Sequence, residues 1–588
     1  MVSIYRIRLQ TMIKKLLFGC KTNKKLRIGR KLMTIIKNPV IPGMAPDPSI
    51  ICVDERYYIA TSTFHWTPAI QLFESKDLAN WQLVGYALNN EEVNLRGTNT
   101  PAGIWAPHLS YDPQTKRFWL AYSHMVNMAG REFNADSYAI WATDIRGPWS
   151  EPIYFTSIGF DPALFHDEDG RHYLTILEWE TREGYQAPGH IVLAEIDLPS
   201  GKLLSPWHRV TQGFTTRGCA EAPQIYKHEG AYFLLLASGG TGYAHGVEVG
   251  RAETIFGPYE AHPSGEPILT SSPRHLFSLG DPDAGHFEMV NPHSVMQKAG
   301  HGSLVHTHTD EWFMAHLMAR PLEGELLNPL GREASIQRMH WTEDNWLEME
   351  DGSNLAKMTF KGLAGVPIDN EPNTDLFDSF QEAQYLLEFM TPYRQQHQSW
   401  VSTQKRQGYL RIYGGNSLFS QMNPAIMATR ATSFTYEVET LLEFQPNHYS
   451  QTAGLGLYYD SNNWLYAHVT YSEEKRCPYL TLLQAKLGQR IEYVNTRVVV
   501  PEGNIHLKIR YEHGIANVYY RLEEQETWQV LLQDLSVAYL SDEGVNGMPG
   551  EIGGFTGLFN FIGAVDAHQH QSYADFAYYK VTNHSSAS

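Results

Sequence analysis

Apolar and polar residues alternate over short runs through most of this chain, and sustained helical periodicity is absent, so the pattern predicts strands joined by turns. One phrase recurs five times in the first 320 residues. It reads DPSIICVDERYYIATS from Asp47, WAPHLSYDPQTKRFWLAYS from Trp105, DPALFHDEDGRHYLTI from Asp161, EAPQIYKHEGAYFLLL from Glu221 and HGSLVHTHTDEWFMAHL from His301. Each copy predicts a short alternating strand, a turn and an aromatic strand. The copies lie roughly 55–80 residues apart, the scale of a four-stranded propeller blade with insertions. A second phrase, with a polar turn and a late aromatic, recurs at 75–81, 142–149 and 251–259 and fits outer blade strands.

The pattern changes twice. Residues 347–374 carry Gly362, Gly365, Pro367 and Pro372 among polar neighbours, which predicts a surface linker. From 375 to 588, strictly alternating runs at 408–413, 433–438, 454–459 and 464–470 are divided by Gly, Asn, Asp or Pro, as in an antiparallel β-sandwich. The expected fold class is therefore all-β: a five-bladed β-propeller over 38–346, a linker over 347–374, and a β-sandwich over 375–588. Residues 1–37 are expected to stand outside the fold. Residues 1–32 hold ten Lys or Arg and no acid. Their apolar stretch around 16–20 is too short for a membrane span and weak for a signal peptide, and Met33 is an alternative start.

Composition narrows the function classes. The chain has 588 residues, 43% hydrophobic and 12% aromatic, which argues against disorder. Its formal net charge of −18 argues against a nucleic-acid partner and is compatible with neutral ligands. The four cysteines, Cys20, Cys52, Cys219 and Cys477, lack metal spacing and read as free thiols, which predicts a cytoplasmic protein. No stretch predicts a membrane span, and homo-oligomerisation is left open.

A propeller brings equivalent blade positions together at its axis. Asp47, Asp161 and Glu221 open three copies of the phrase, so they are expected to occupy the same blade position and converge. Converging acids point to acid–base chemistry. His301 opens the fifth copy and is expected on the axis. His306 and His308 share a strand face without a third ligand and read as structural.

The chain resembles glycoside hydrolase family 43, in particular its β-xylosidases. The resemblance rests on NPVIPGMAPDPSI (38–50), FESKDLANWQLVG (73–85), GIWAPHLSYD (103–112), GFDPALFHDEDGRHYL (159–174), AEAPQIYKHEGAYFLL (220–235), GHGSLVHTHTDEWFMAHL (300–317) and LGREASIQ (330–337). It extends through GYLRIYGGNSL (408–418) and GGFTGLF (553–559) to a concanavalin-like sandwich. It implies an exo-acting, inverting hydrolase that releases xylose from non-reducing ends of β-1,4-xylo-oligosaccharides. Asp47 would be the general base, Glu221 the general acid, and Asp161 the residue that raises and orients Glu221. Phe64, Trp105, Trp179, Arg332 and Phe555 would contact the sugar. No cofactor is required, and calcium at His301 is the one metal left open. Two departures stand out: Gln224 replaces a family histidine, and residues 266–290 look like an insertion. An α-L-arabinofuranosidase, or an enzyme with both activities, is the alternative within the fold, and a carbohydrate-binding propeller is the alternative outside catalysis.

Overall fold

The computed structural model describes residues 34–584, except 89–92, 99, 129, 187, 273–290, 292, 369–373, 502–503, 524 and 546–553. The expectations for residues 1–32 and for most of the 266–290 insertion fall outside the described residues. Regular structure among the described residues is β-strand, apart from a 3-10 turn at Val494–Thr496. None of their helices is long and apolar enough to cross a membrane. Cys52, Cys219 and Cys477 carry thiols rather than disulfides.

Five antiparallel sheets form the propeller. Their innermost strands are Ser49–Val53, Gly103–Asp112, Gly159–His166, Glu221–His228 and Gln297–His306. Each blade packs both faces against its neighbours, so its middle strands are buried almost throughout rather than on alternate residues. Arg56–Thr61 and Tyr173 to Leu177 in the third blade are examples.

Two expected boundaries are displaced. Ile35–Lys37 is a strand of the fold, paired with Thr359–Lys361, and Ile36 lies in the core shared by the first and fifth blades. The onward segment is pinned to the fifth blade, where Asn38 bonds both the carbonyl and the amide of Ile336. The polar flanks of this short strand mask it in the sequence. At the other end, Leu347–Met349 is the outer strand of the fifth blade rather than linker.

The second domain is a sandwich of two large antiparallel sheets around one core. Thr435–Glu443 alternates half-buried and buried residues, as one-sided packing requires. Gln451–Asp460, Asn463–Ser472 and Phe559–Asp566 are buried on both faces. Their second face packs on the propeller: Tyr458, Trp464, Tyr466, Phe559 and Phe561 join Met44, Trp66 and Tyr86 in one cluster. Trp66 stacks on Phe559 with centroids 3.7 Å apart, and Trp66–Thr67 pairs with Thr391–Pro392 across the domain boundary.

Candidate active site

Each innermost strand begins with the same irregularity. Asp47, Ala106, Asp161, Ala222 and His301 all have positive φ, between 41° and 59°. In the second to fifth blades a register shift brackets that residue, between Trp105 and His108, Phe160 and Ala163, Glu221 and Gln224, and Gly300 and Ser303. Side chains with a Cβ enter this backbone region at a cost, and a bulge here re-aims them at the rim of the sheet.

The bulge corrects one sequence expectation. Asp47 and Asp161 hold the positive-φ position, each followed by Pro48 or Pro162. In the fourth blade Ala222 and Pro223 hold those places, so Glu221 stands one residue earlier, equivalent to Trp105 and Phe160. In a regular strand a one-residue offset would send the side chain to the opposite face. The bulge removes that alternation, and all three acids still line one cavity of about 290 Å³.

Asp47 is 8% exposed, and its carboxylate accepts a hydrogen bond from Ser62 Oγ at 2.6 Å. Ser62 Oγ in turn accepts from the Ala106 amide at 2.7 Å, which orients its proton toward Asp47. Asp161 is 7% exposed and accepts from the Ala222 amide at 3.1 Å. That contact ties it to the strand that carries Glu221. Burial, followed by the charge of Asp47, raises Glu221 to about 7, against a smaller lowering by Arg332. Burial first, then Glu221 and then Asp47, raises Asp161 well above the usual carboxylate range. The pair therefore holds protons where isolated carboxyls would be ionised.

Every sugar-contact residue expected from the sequence lines this cavity: Phe64, Trp105, Trp179, Arg332 and Phe555. Phe64, Trp105 and Phe555 form a ring cluster with centroids 5.5–6.2 Å apart. Phe160 links Trp105 to Trp179, which stacks at 4.0 Å on Phe133 and whose indole N–H donates to the Arg131 carbonyl. Sequence reasoning missed Phe133, Phe160 and His245, which also line the cavity. Phe160 was legible, since it immediately precedes Asp161; Phe133 lies in an irregular stretch with no repeat partner.

His301 also lines the cavity, with Nδ1 3.5 Å from Asp47 Oδ1, and burial lowers its proton affinity. Calcium asks for six to eight oxygen ligands. Among the described residues no group of three or more His, Cys, Asp or Glu side chains could hold a metal ion. These side chains alone do not supply that number of ligands. His306 stacks on Trp312 and His308 Nδ1 bonds the Tyr57 hydroxyl, both away from the cavity. Gln224 does not line it either; its Oε1 accepts from Tyr226 at 2.6 Å.

Known proteins share this architecture. The profile of "Glycosyl hydrolases family 43" matches residues 36–347, and that of the "Beta xylosidase C-terminal Concanavalin A-like domain" matches 377–582. "Xylosidase/arabinosidase 43B" of Humicola insolens is 35% identical, over 93% of this chain and 97% of that protein. "Xylan 1,3-beta-xylosidase" of a Vibrio species is 34% identical, over 94% and 100%. The crystal structure of a xylan beta-1,4-xylosidase from Bacillus halodurans C-125 superposes with a TM-score of 0.86 at 37% identity, covering 93% of this chain and all of that one. With its acids converging at the mouth of a five-bladed propeller, the chain belongs to glycosyl hydrolases family 43.

Proposed function

We propose that this protein is an exo-acting, inverting β-xylosidase that releases single xylose units from the non-reducing ends of β-1,4-xylo-oligosaccharides. The observation that carries the reading is the pairing of a carboxyl held protonated to about pH 7, Glu221, with Asp47 in the same cavity. Acetal cleavage with inversion needs one carboxyl to protonate the leaving oxygen and another to draw a proton from water on the opposite face of the ring.

In this reading Glu221 donates its proton to the departing oxygen. Asp47, oriented by Ser62, accepts a proton from the attacking water. Asp161 sits against Ala222 beside the acid and helps to orient it, while burial and the charge of Asp47 keep the proton on Glu221. The apolar rings hold one pyranose, while Arg332 offers donors to its hydroxyls. At about 290 Å³ the cavity is at the lower end of small-molecule sites, which run from about 300 to 1,000 Å³. Phe555 closes one wall, which suits a terminal unit better than a continuous chain.

The test is product analysis on xylobiose and xylotriose. Release of xylose that appears first as the α-anomer supports the proposal; retention of the β-anomer, or no cleavage, overturns it. The Humicola relative carries both activities in its name. Paired kinetics on nitrophenyl β-xyloside and α-L-arabinofuranoside measure how far the same acids serve both sugars here, and β-1,3-linked xylobiose tests the linkage.

A further inference from the structure

We propose that Asp542, carried by the sandwich, is a positioning residue that holds the Arg332 guanidinium in the sugar pocket and balances its charge. The inference rests on the glycosidase reading of that pocket.

Two sides of Arg332 are already held. Its guanidinium lies over the Phe555 ring at 4.1 Å, and one terminal nitrogen donates to the Thr241 carbonyl at 3.2 Å. Its Nε faces Asp542 Oδ2 at 3.9 Å, with the two side chains 5% and 1% exposed. Both of those atoms are buried, and neither has a hydrogen-bond partner. A buried cationic donor and a buried anionic acceptor that face each other, each otherwise unsatisfied, form a pair that a small adjustment completes. Asp542 does not line the cavity, so it reaches the sugar only through Arg332.

The surroundings hold Asp542 in place from both domains. The Tyr459 hydroxyl donates to its other oxygen at 2.5 Å, and its amide donates to the Asn328 carbonyl at 3.3 Å. The next residue, Glu543, accepts from the Asn328 amide and side chain and pairs with Lys298. Asn328 lies four residues before Arg332, so the sandwich clamps the loop that delivers the arginine. The fit there is close: a Cβ on Gly331 would sit 2.4 Å from the Thr556 carbonyl oxygen.

The charged and titratable groups facing Asp542 are Lys298, Glu543, Arg332 and Tyr459, with Tyr243 beside them. Burial, as the largest influence, raises Asp542 to about 6. Its charge is therefore present above that pH and fades below it. When present, it offsets the arginine, whose field lowers Glu221. Asp542 thus helps keep the proton on Glu221.

The experiment compares the full-length wild type with Asp542→Asn on whichever glycoside the wild type cleaves best. Expected are a several-fold rise in KM with a smaller change in kcat, and a shift of the alkaline limb of kcat/KM to lower pH. In an Arg332→Met background, adding Asp542→Asn should change neither quantity further. Unchanged KM and limb in the single variant, or equal shifts with and without Arg332, overturn the proposal. If Asp542→Asn does not fold, Asp542→Glu takes its place. Retained charge on a longer arm should preserve the limb and raise KM, and wild-type KM there also overturns the proposal. A wild type that inverts no xyloside counts against the xylosidase reading alone, because the same comparison runs on its actual substrate.

Discussion

The two domains meet at one pocket but bring different things to it. The propeller supplies Asp47, Asp161, Glu221 and His301, at or beside positive-φ residues that cost stability. The sandwich supplies Phe555 and, behind it, Asp542; a separate cluster of tyrosine, tryptophan and phenylalanine joins the two domains. The difference separates chemistry from enclosure. Substitutions of the propeller acids should act on the proton-transfer steps, whereas substitution of Phe555 should act on binding.

The largest effect expected of that division is at the acids. Asp47→Asn and Glu221→Gln should each lower hydrolysis about 10²–10⁴-fold, the range for general acid–base groups, with the fold retained. Steady-state rates on xylobiose check this. Glu221→Gln should be less damaging on nitrophenyl xyloside, whose leaving group needs little protonation. Equal losses on both substrates would remove Glu221 from the acid role.

Next in size is the loss of enclosure. Phe555→Ala should raise KM for short xylosides more than it lowers kcat, because Phe555 packs on Phe64 and under Arg332 and bears no proton. A mainly kcat effect would move the sandwich into the chemistry and erase the contrast. Removing 375–588 altogether should leave an insoluble or nearly inactive propeller, since Met44, Trp66 and Tyr86 lose their cover. Solubility and residual activity of that fragment measure the same point.

Much of this was legible in the sequence, and the exceptions have physical causes. The blades were visible because their strands repeat a turn chemistry at fixed places, and the sandwich because turn residues divide its strands. The runs at 454–459 and 464–470, expected to alternate, are buried on both faces because they also pack on the propeller. Glu221 was found, yet its blade position was misread by one residue, because a bulge leaves no mark in hydrophobic patterning. Phe133 and Asp542 carried no signal. Their importance arises from docking across long sequence separations, Asp542 being brought to Arg332 only when the domains close. The strand at Ile35–Lys37 was hidden by its brevity and its basic neighbours.

That strand gives a smaller test within the propeller. A chain starting at Met33 keeps Ile36 and its pairing with Phe360. One starting at Asn38 loses both. Ile36 is 3% exposed, so Ile36→Ala should cost about 2 kcal/mol, the low end for buried Ile→Ala changes, without altering KM. Denaturant melts of the two starts and the point variant check it. Equal stability of both starts would make the strand an ornament of the fold.

The smallest effect expected is one in which the catalytic residue opposes stability. Glu221 holds its proton to about 7 in the native state, against 4.5 for an ordinary glutamate. Between those values the native state binds more protons than the unfolded chain, so its stability is full below about pH 4.5 and declines as pH rises through 7. An amide in place of the carboxyl cannot ionise and escapes that decline. Glu221→Gln should therefore melt close to wild type at pH 4.5 and above it at pH 8, by about 1–2 kcal/mol once partial solvent screening is allowed for. Thermal melts at the two pH values read the gap directly. Asp542→Asn also gains with pH on this argument, but less, because Lys298 and Arg332 compensate its charge. A gap for Glu221→Gln that stays constant across pH would mean that the acid is not held protonated by the fold. The alkaline limit of activity would then need another owner.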